Sequence, residues 1–404
     1  MKKLLALVLV VVMCIGCFGV LTACNKSEIK VGLICLHDEN STYDNNFIQA
    51  FKAACEAKGL TKKDYAIVTD VPEGTECYNE AVNLAEKGAK AIFADSFGHE
   101  SHMIKAAEEY QDVSFCHATG TSAHTKNLPN FYNAFAAIYE GRYLAGVAAG
   151  MKLKALYGDN AGNVADANAV IGYVGAFTYA EVVSGYTSFF LGVQSIVPNA
   201  TMKVKFTGSW YNQKEEANAA QALIDAGCKL ISQHADSMGA PSTCEAAGIP
   251  NVSYNGSTEA SCPDTFIVSS KINWQPYFEM MIDNALNGTA ITQDYVGTIA
   301  DGSVQLTALG AAAAEGTAAK LEEVKSKLAN GSLKVFDLSK FTVGGQPLPD
   351  NFMADVDTDA DYTADTVVIK TTPGGVKYFA ESEFRSAPYF SVNIDGIELL
   401  NTKF

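Results

Sequence analysis

An α/β fold of two doubly wound parallel-sheet lobes is what the pattern of this chain predicts, on three observations. Short, nearly unbroken apolar runs alternate with stretches of helical spacing. The alternation passes through two successive series. The connections are short and polar, with glycine closing several helices. Apolar runs without polar alternation suit strands covered on both faces, as parallel sheets require. Strand–helix–strand order with short loops builds such sheets.

The first series opens with a strand over Ile29 to Cys35. A polar loop leads to a helix predicted over Asn46 to Lys58, with Phe47, Phe51 and the Ala54/Cys55 pair on one face and Gly59 as its stop. The cycle continues as strand Tyr65 to Val71, helix Tyr78 to Lys87, strand Ala91 to Asp95, helix Glu100 to Tyr110 and strand Val113 to His117. A helical segment over Glu140 to Leu153 introduces the second series. Its strands are Ala169 to Val174, Met202 to Thr207, Lys229 to Gln233 and Asn251 to Tyr254. Its helices are Val182 to Val193, Lys214 to Ala226 and Gly239 to Ala247. Two such series imply two lobes facing each other across a cleft.

The amino terminus carries an address. Lys2 and Lys3 precede an apolar run from Leu4 to Met13, too short to span a bilayer, and then Leu21-Thr22-Ala23-Cys24. This order resembles the lipobox of bacterial lipoprotein signal peptides, cut before a cysteine that then carries lipid. Residues 1–23 are thus expected to be a signal peptide and 24–28 a tether lipidated at Cys24, holding the chain on the outer face of the cell membrane. An ordinary secretory peptide is the alternative. Without Lys2 and Lys3, 27 basic residues face 45 acidic ones. That excess of negative charge argues against nucleic acid as a partner, because phosphate binding needs clustered Lys and Arg. Hydrophobic residues make up 48% and charged residues 18%, the balance of a globular chain with a sizeable core. Seven cysteines remain beyond Cys24: Cys35, Cys55, Cys77, Cys116, Cys228, Cys244 and Cys262. An odd number inside apolar elements reads as buried free thiols.

Ligands of open α/β sheets bind at the carboxyl ends of the strands. The loops there read His37-Asp38-Glu39, Asp95-Ser96-Phe97-Gly98, His117-Ala118-Thr119-Gly120, Ala176-Phe177-Thr178, Gly208-Ser209-Trp210-Tyr211, His234-Ala235-Asp236-Ser237 and Asn255-Gly256-Ser257. Aromatic and polar residues recur, without an acid–base–nucleophile set. Such a lining suits a flat ring held between aromatic side chains and oriented by a few polar atoms.

Several longer runs carry a family resemblance. VPEGTECYNEAVNLAEKGAKAIFADSFGHESHMIKAAEEYQDVSFCHATG and YEGRYLAGVAAGM come first. IGYVGAFTYAEVVSGYTSFFLGVQSIVPNA, SWYNQKEEANAAQALIDAGCKLISQHADS and INWQPYF follow in order. From about Ile29 to Leu309 the chain resembles the basic membrane protein (BMP) family of solute-binding lipoproteins of ABC importers. The resemblance implies a type I periplasmic-binding-protein fold with three crossings between lobes, near Asn133 to Glu140, Ser257 to Trp274 and Tyr295 to Ser303. It implies residues 29–135 and 266–292 as the first lobe and 136–265 and 293–345 as the second. Residues 346–404 form an extension longer than the family leads one to expect. A purine nucleoside or nucleobase is the implied ligand, and a membrane permease with its ATPase the implied partner. No enzymatic activity, cofactor or metal is expected, and the chain is expected to be a monomer.

Carried over residue by residue, Tyr43, on the loop before the first helix, takes the position of an aromatic that stacks on the base, with Asp44 beside it. Phe97, next to Ser96, and Phe177 are further stackers. Trp210 and Trp274 would close the pocket from the second lobe and the hinge. His117, Glu140, Glu181 and Asp236 would supply polar groups near the base edge or hinge. Asn255 stands where nucleoside binders of the family commonly have an aspartate for the ribose. The lysine that often supports the ribose has no secure equivalent, since Asn273 rather than Lys271 falls at its position. Both departures leave room for a free base. Each aromatic also fits a core position, and His117 a structural one. His99 and His102 share a helix face, yet no acid or thiol nearby completes a zinc set. The acidic run Asp355 to Asp361 lacks the glycine and terminal glutamate of a calcium loop. Glu140 and Arg142 have the charges to pair with each other or with the opposite lobe, and an ordinary surface ion pair is the alternative. A surface receptor or adhesin on the same fold, or a purine nucleoside hydrolase, are the alternative functions. The hydrolase is the weaker, because the acidic groups are scattered.

Overall fold

The computed structural model describes residues 29–157, 169–356 and 363–403. The expected signal peptide, Cys24 and the tether lie outside the described residues, as does most of the acidic run ending at Asp361. No described helix is long and apolar enough to cross a membrane.

The first sheet is parallel throughout. Its strands are β1 (Val31–Ile34), β2 (Tyr65–Val68), β3 (Ala91–Ala94), β4 (Ser114–Ala118), β5 (Phe131–Ala136) and β11 (Asp294–Gly297), in the order β2-β1-β3-β4-β5-β11. The second sheet holds β6 (Val170–Gly175), β7 (Thr201–Phe206), β8 (Ile231–Gln233), β9 (Asn251–Tyr254), β10 (Phe266–Ile272), β12 (Val304–Leu306) and β17 (Ile397–Leu399). Its order is β17-β7-β6-β8-β9-β10-β12, with only β12 antiparallel. Each sheet therefore reverses strand order beside its first strand, β1 or β6. Such switch points open a crevice at the carboxyl ends of the strands.

Helices α1 (Thr42–Ala57), α2 (Thr75–Glu86), α3 (Glu100–Glu109) and the short α4 (Ala123–Lys126) belong to the first lobe. Helices α5 (Ile138–Tyr157), α6 (Ala180–Gln194), α7 (Gln213–Asp225) and α8 (Gly239–Ala247) belong to the second. Helix α9 (Gln275–Asn287) returns to pack on α1 and β3, and α10 (Thr317–Ala329) lies on α5. Helices α5 and α6 approach so closely that a Cβ on Gly146 would lie 2.0 Å from the Phe189 carbonyl oxygen. Only glycine fits there.

The chain crosses between lobes from β5 into α5, from β10 into α9, and from β11 to β12. This corrects the expected lobe boundaries. Strand β10 lies in the second sheet, paired with β9, although 266–292 was expected in the first lobe. Strand β11 lies in the first sheet, paired with β5, although 293–345 was expected in the second. In β10 the polar Ser269-Ser270-Lys271 follows Phe266-Ile267-Val268, and both serines are fully buried. A second correction concerns α1, which begins four residues before its predicted start at Asn46. Ser41 caps it, accepting from the Asp44 N–H, so Tyr43 and Asp44 stand on its first turn rather than on a loop.

The described residues of the extension beyond residue 345 pack against both lobes. It holds two short antiparallel pairs, β13 (Met353–Ala354) with β14 (Thr366–Val367) and β15 (Ile369–Thr371) with β16 (Lys377–Phe379). β17 then extends the second sheet beyond β7. The Ser386 N–H meanwhile donates to Asp294 Oδ2 on the first sheet. Cys35, Cys55, Cys77, Cys116, Cys228, Cys244 and Cys262 are all buried free thiols, as their apolar settings predict.

Candidate ligand site between the lobes

Both switch points face one cleft between the lobes, with about 380 Å³ of space among its lining atoms, part of it open to solvent. The first lobe contributes Leu36, His37, Tyr43, Asp44, Ser96, Phe97 and Thr119. The second contributes Glu181, Trp210, His234, Asp236, Tyr254 and Asn255. Among these described lining residues there is no lysine or arginine. Two of them, Thr119 (φ 63°) and Asn255 (φ 66°), hold left-handed backbone conformations at strand ends. Asparagine tolerates this region, whereas a β-branched threonine is strained in it. Backbone strain of this kind persists where surrounding structure enforces it, commonly at functional sites.

The first-lobe floor is built around carboxyls. Asp44 Oδ1 accepts from the His37 N–H at 2.8 Å, and Oδ2 accepts from Ser41 Oγ at 2.6 Å and approaches His37 Nδ1 at 3.4 Å. Burial would raise the Asp44 pKa, but these bonds outweigh it and hold the group below its ordinary range. Asp95 is the opposite case: burial first, and the nearby Asp44 charge second, push its carboxyl well above the usual range. The Leu36 N–H donates to Asp95 Oδ1 at 3.1 Å, and Asp95 Oδ2 is buried without a hydrogen-bond partner. The Cys35 thiol, also raised by burial, completes a group whose polar atoms lie within 4.8 Å of one another. Tyr43 Oη donates to the Asp95 carbonyl at 2.7 Å, which fixes its ring as a wall.

Across the cleft, Asp236 is pushed well up by burial and then by the charges of Asp44, Glu216 and Glu181. Asn255 Nδ2 donates to Asp236 Oδ1 at 3.4 Å. Contacts already join the two lobes: the Thr42 N–H donates to the Asp236 carbonyl at 3.0 Å, and the Phe97 and Tyr179 rings lie 5.3 Å apart.

The structure thus brings together Tyr43, Asp44, Ser96, Phe97, Glu181, Trp210, Asp236 and Asn255. It leaves four expected residues outside the lining. Trp274 is 2% exposed and stacks on Phe47 at 4.4 Å, so it is core. Phe177 packs edge-on behind Trp210 at 5.0 Å. His117 is fully buried, with Nε2 2.7 Å from the Ser96 carbonyl oxygen, and burial lowers its pKa. It supports the Ser96–Phe97 loop from behind. Glu140 Oε2 accepts from the Ile299 N–H at 3.1 Å, joining two of the crossings, and burial raises its carboxyl to about 7. The Glu140–Arg142 pair does not form; Arg142 is fully buried and bonds to neutral groups on β6, β8, β9 and β10. His99 is likewise structural, its Nε2 2.9 Å from the Val71 carbonyl oxygen. Sequence reasoning misses His37, Thr119, His234 and Tyr254, although all but Tyr254, the last residue of β9, stand in the strand-end loops that it singles out.

Comparison with known proteins shows the family. Residues 44–339 match the Bmp family model, described as ABC transporter substrate-binding protein PnrA-like. A purine-binding protein of Brucella abortus is 31% identical over 80% of this chain and 90% of its own length. A Haloferax volcanii protein named as a candidate ABC transporter glucose-binding protein is 29% identical over 64% of this chain and 61% of its own. Among solved structures, an ABC transporter solute-binding protein from Conexibacter woesei superposes with a TM-score of 0.61 at 19% identity, covering 76% of this chain and 98% of that one. This likeness establishes the type I periplasmic-binding-protein fold. The chain belongs to the Bmp family of PnrA-like ABC transporter substrate-binding proteins.

Proposed function

We propose that this substrate-binding protein captures a purine, as nucleobase or nucleoside, between its lobes and delivers it to a membrane permease with its ATPase. It does so as a monomer on the outer face of the cell membrane, anchored by lipid at Cys24. The lining of the cavity carries the reading. Flat rings (Tyr43, Phe97 and Trp210) surround a space whose polar groups include three carboxyls, Asp44, Glu181 and Asp236, and the Asn255 amide, beside His37, Ser96, Thr119, His234 and Tyr254. Purine faces stack on aromatic rings, and purine edges bring N–H donors to acceptors of this kind. A phosphate would meet these carboxylates with no cation in the lining to offset it, which disfavours nucleotides. Asn255 in place of an aspartate, and Lys271 outside the lining, favour a base over a nucleoside.

Titration calorimetry and thermal unfolding with adenine, guanine, adenosine, guanosine and glucose test the reading. A ligand that binds only the folded state adds about 2.7 kcal/mol at one hundred times its Kd, so a purine should raise the unfolding temperature without being consumed. Purine turnover would establish a hydrolase instead. Binding of glucose alone would establish the sugar reading, which the Haloferax relative and the Trp210 ring also support. Cys24→Ser should shift the protein from the membrane fraction to the soluble one with ligand affinity unchanged.

A further inference from the structure

Behind the second-lobe wall of the cavity runs a line of buried polar groups that begins at a permanent charge. The Arg142 guanidinium has donors and no acceptor. Its Nη2 donates to Tyr173 Oη at 2.8 Å and to Ser232 Oγ at 3.0 Å. With that lone pair engaged, the Tyr173 hydroxyl sends its own proton onward, and His234 Nδ1 lies 3.2 Å away. Burial pushes His234 below its ordinary pKa; the Glu181 carboxylate opposes this and the Arg142 charge adds to it. A neutral imidazole carries one proton. If Nδ1 accepts, that proton sits on Nε2, which is 3.4 Å from Glu181 Oε1. Glu181 itself faces the cavity.

We infer that Arg142, Tyr173 and His234 form a relay that fixes His234 as its Nε2–H tautomer and thereby holds Glu181 in place as a hydrogen-bond acceptor toward the ligand. Arg142 and Tyr173 are positioning residues that act through His234 and Glu181; His234 also lines the cavity itself. The direction of the relay follows from its buried origin: a cation that can only donate orients each group after it. The packing agrees. A Cβ on Gly185 of α6 would lie 2.7 Å from His234 Nδ1 and 2.9 Å from Cε1, so the helix leaves a notch for the ring in this pose. The recognised ligand must then present an N–H or O–H donor to Glu181, which rests on reading this cavity as the purine site.

The test is nitrogen NMR of protein labelled at its six histidines, with His234 assigned through His234→Gln. Wild type should show the Nε2–H pattern at His234. Tyr173→Phe keeps the ring and removes the hydroxyl; it should abolish that tautomer preference and weaken binding of adenine or guanosine about tenfold. Gly185→Ala should do the same by displacing the ring. Ser232→Ala, which removes another bond of Arg142, should leave the tautomer as in wild type and so separates the relay from general damage to the Arg142 network. An Nδ1–H tautomer in wild type, or a Tyr173→Phe protein with unchanged tautomer, would overturn the relay. The tautomer is read without ligand, so failure of adenine and guanosine to bind would refute the purine reading alone, and the NMR would still decide the relay.

Discussion

Phe97 and Trp274 are aromatic residues that the family motifs mark alike, and the fold gives them opposite surroundings. Phe97 is 42% exposed at the cleft mouth, against Tyr179. Trp274 is packed by Phe47, Phe93, Phe135 and Tyr277. Phe97→Ala should therefore weaken purine binding by about 1–3 kcal/mol, the range for base–aromatic stacking, with unfolding nearly unchanged. Trp274→Ala should cost about 3–5 kcal/mol of stability, while the folded fraction keeps its affinity. Calorimetric titration and denaturant unfolding on the same variants check both, and equal behaviour of the two would overturn the assignment. Asp236 and Asn255 are legible as lining residues because they follow strands at or near the switch points, whereas Tyr43, on the first turn of α1, is legible only through the family resemblance. Trp274 is not, because one residue of helical phase decides whether a side chain after a crossing turns inward to the core or outward to the cleft. Tyr254 escapes notice because it is the last residue of β9 and reads as buried strand, and His234, although in a strand-end loop, because it sits directly after the buried strand β8.

At the scale of elements, the start of α1 matters most to the site, since its first turn carries Tyr43 and Asp44. Ser41 accepts from the Asp44 N–H at 3.2 Å and donates to its carboxylate at 2.6 Å, a reciprocal cap. Ser41→Ala should cost about 1 kcal/mol of stability and weaken ligand binding as well, measurable by thermal unfolding and titration. The apolar spacing from Phe47 onward locates the helix, but not its cap, because the first turn is polar and reads as loop. Helix α7 has a similar start, where Glu216 Oε1 accepts from the Asn212 and Ser237 N–H groups at 3.0 and 3.3 Å. Burial lifts the Glu216 carboxyl from 4.5 to about 7 despite these bonds. Its folded pKa is thus raised, so the stability it contributes is complete below about 4.5 and is lost as pH rises through about 7. Glu216→Gln keeps an acceptor oxygen and removes the titration. Unfolding curves should show wild type losing about 3 kcal/mol relative to this variant between the two limits; parallel pH profiles would mean that Glu216 does not titrate in this range.

Across the whole molecule, the two sheets are joined by three crossings and also by the carboxyl-terminal extension. The extension reads poorly in sequence because its strands are very short and take their register from partners far away, such as β7 for β17. Its contacts nevertheless span the cleft axis. Ser386 bonds to Asp294 in the first lobe, Asn393 Oδ1 accepts from Tyr186 Oη in the second, and the Asn401 amide pairs with the Phe206 backbone at the edge of the second sheet. Hinge motion about the crossings must therefore work against this strap. A ligand can draw the lobes together only through contacts that it makes with both of them, and the cavity has such groups on each side. Small-angle scattering should show the ligand-free protein with a larger radius of gyration than this closed structure has, falling to that value on saturation with a bound purine. Replacing Ser386 with proline removes the N–H that Asp294 accepts, and should increase the ligand-free radius further while leaving the saturated value unchanged. A ligand-free radius already equal to the closed value, in wild type and Ser386→Pro alike, would mean that the strap and crossings hold one rigid body and that ligand enters without hinge opening.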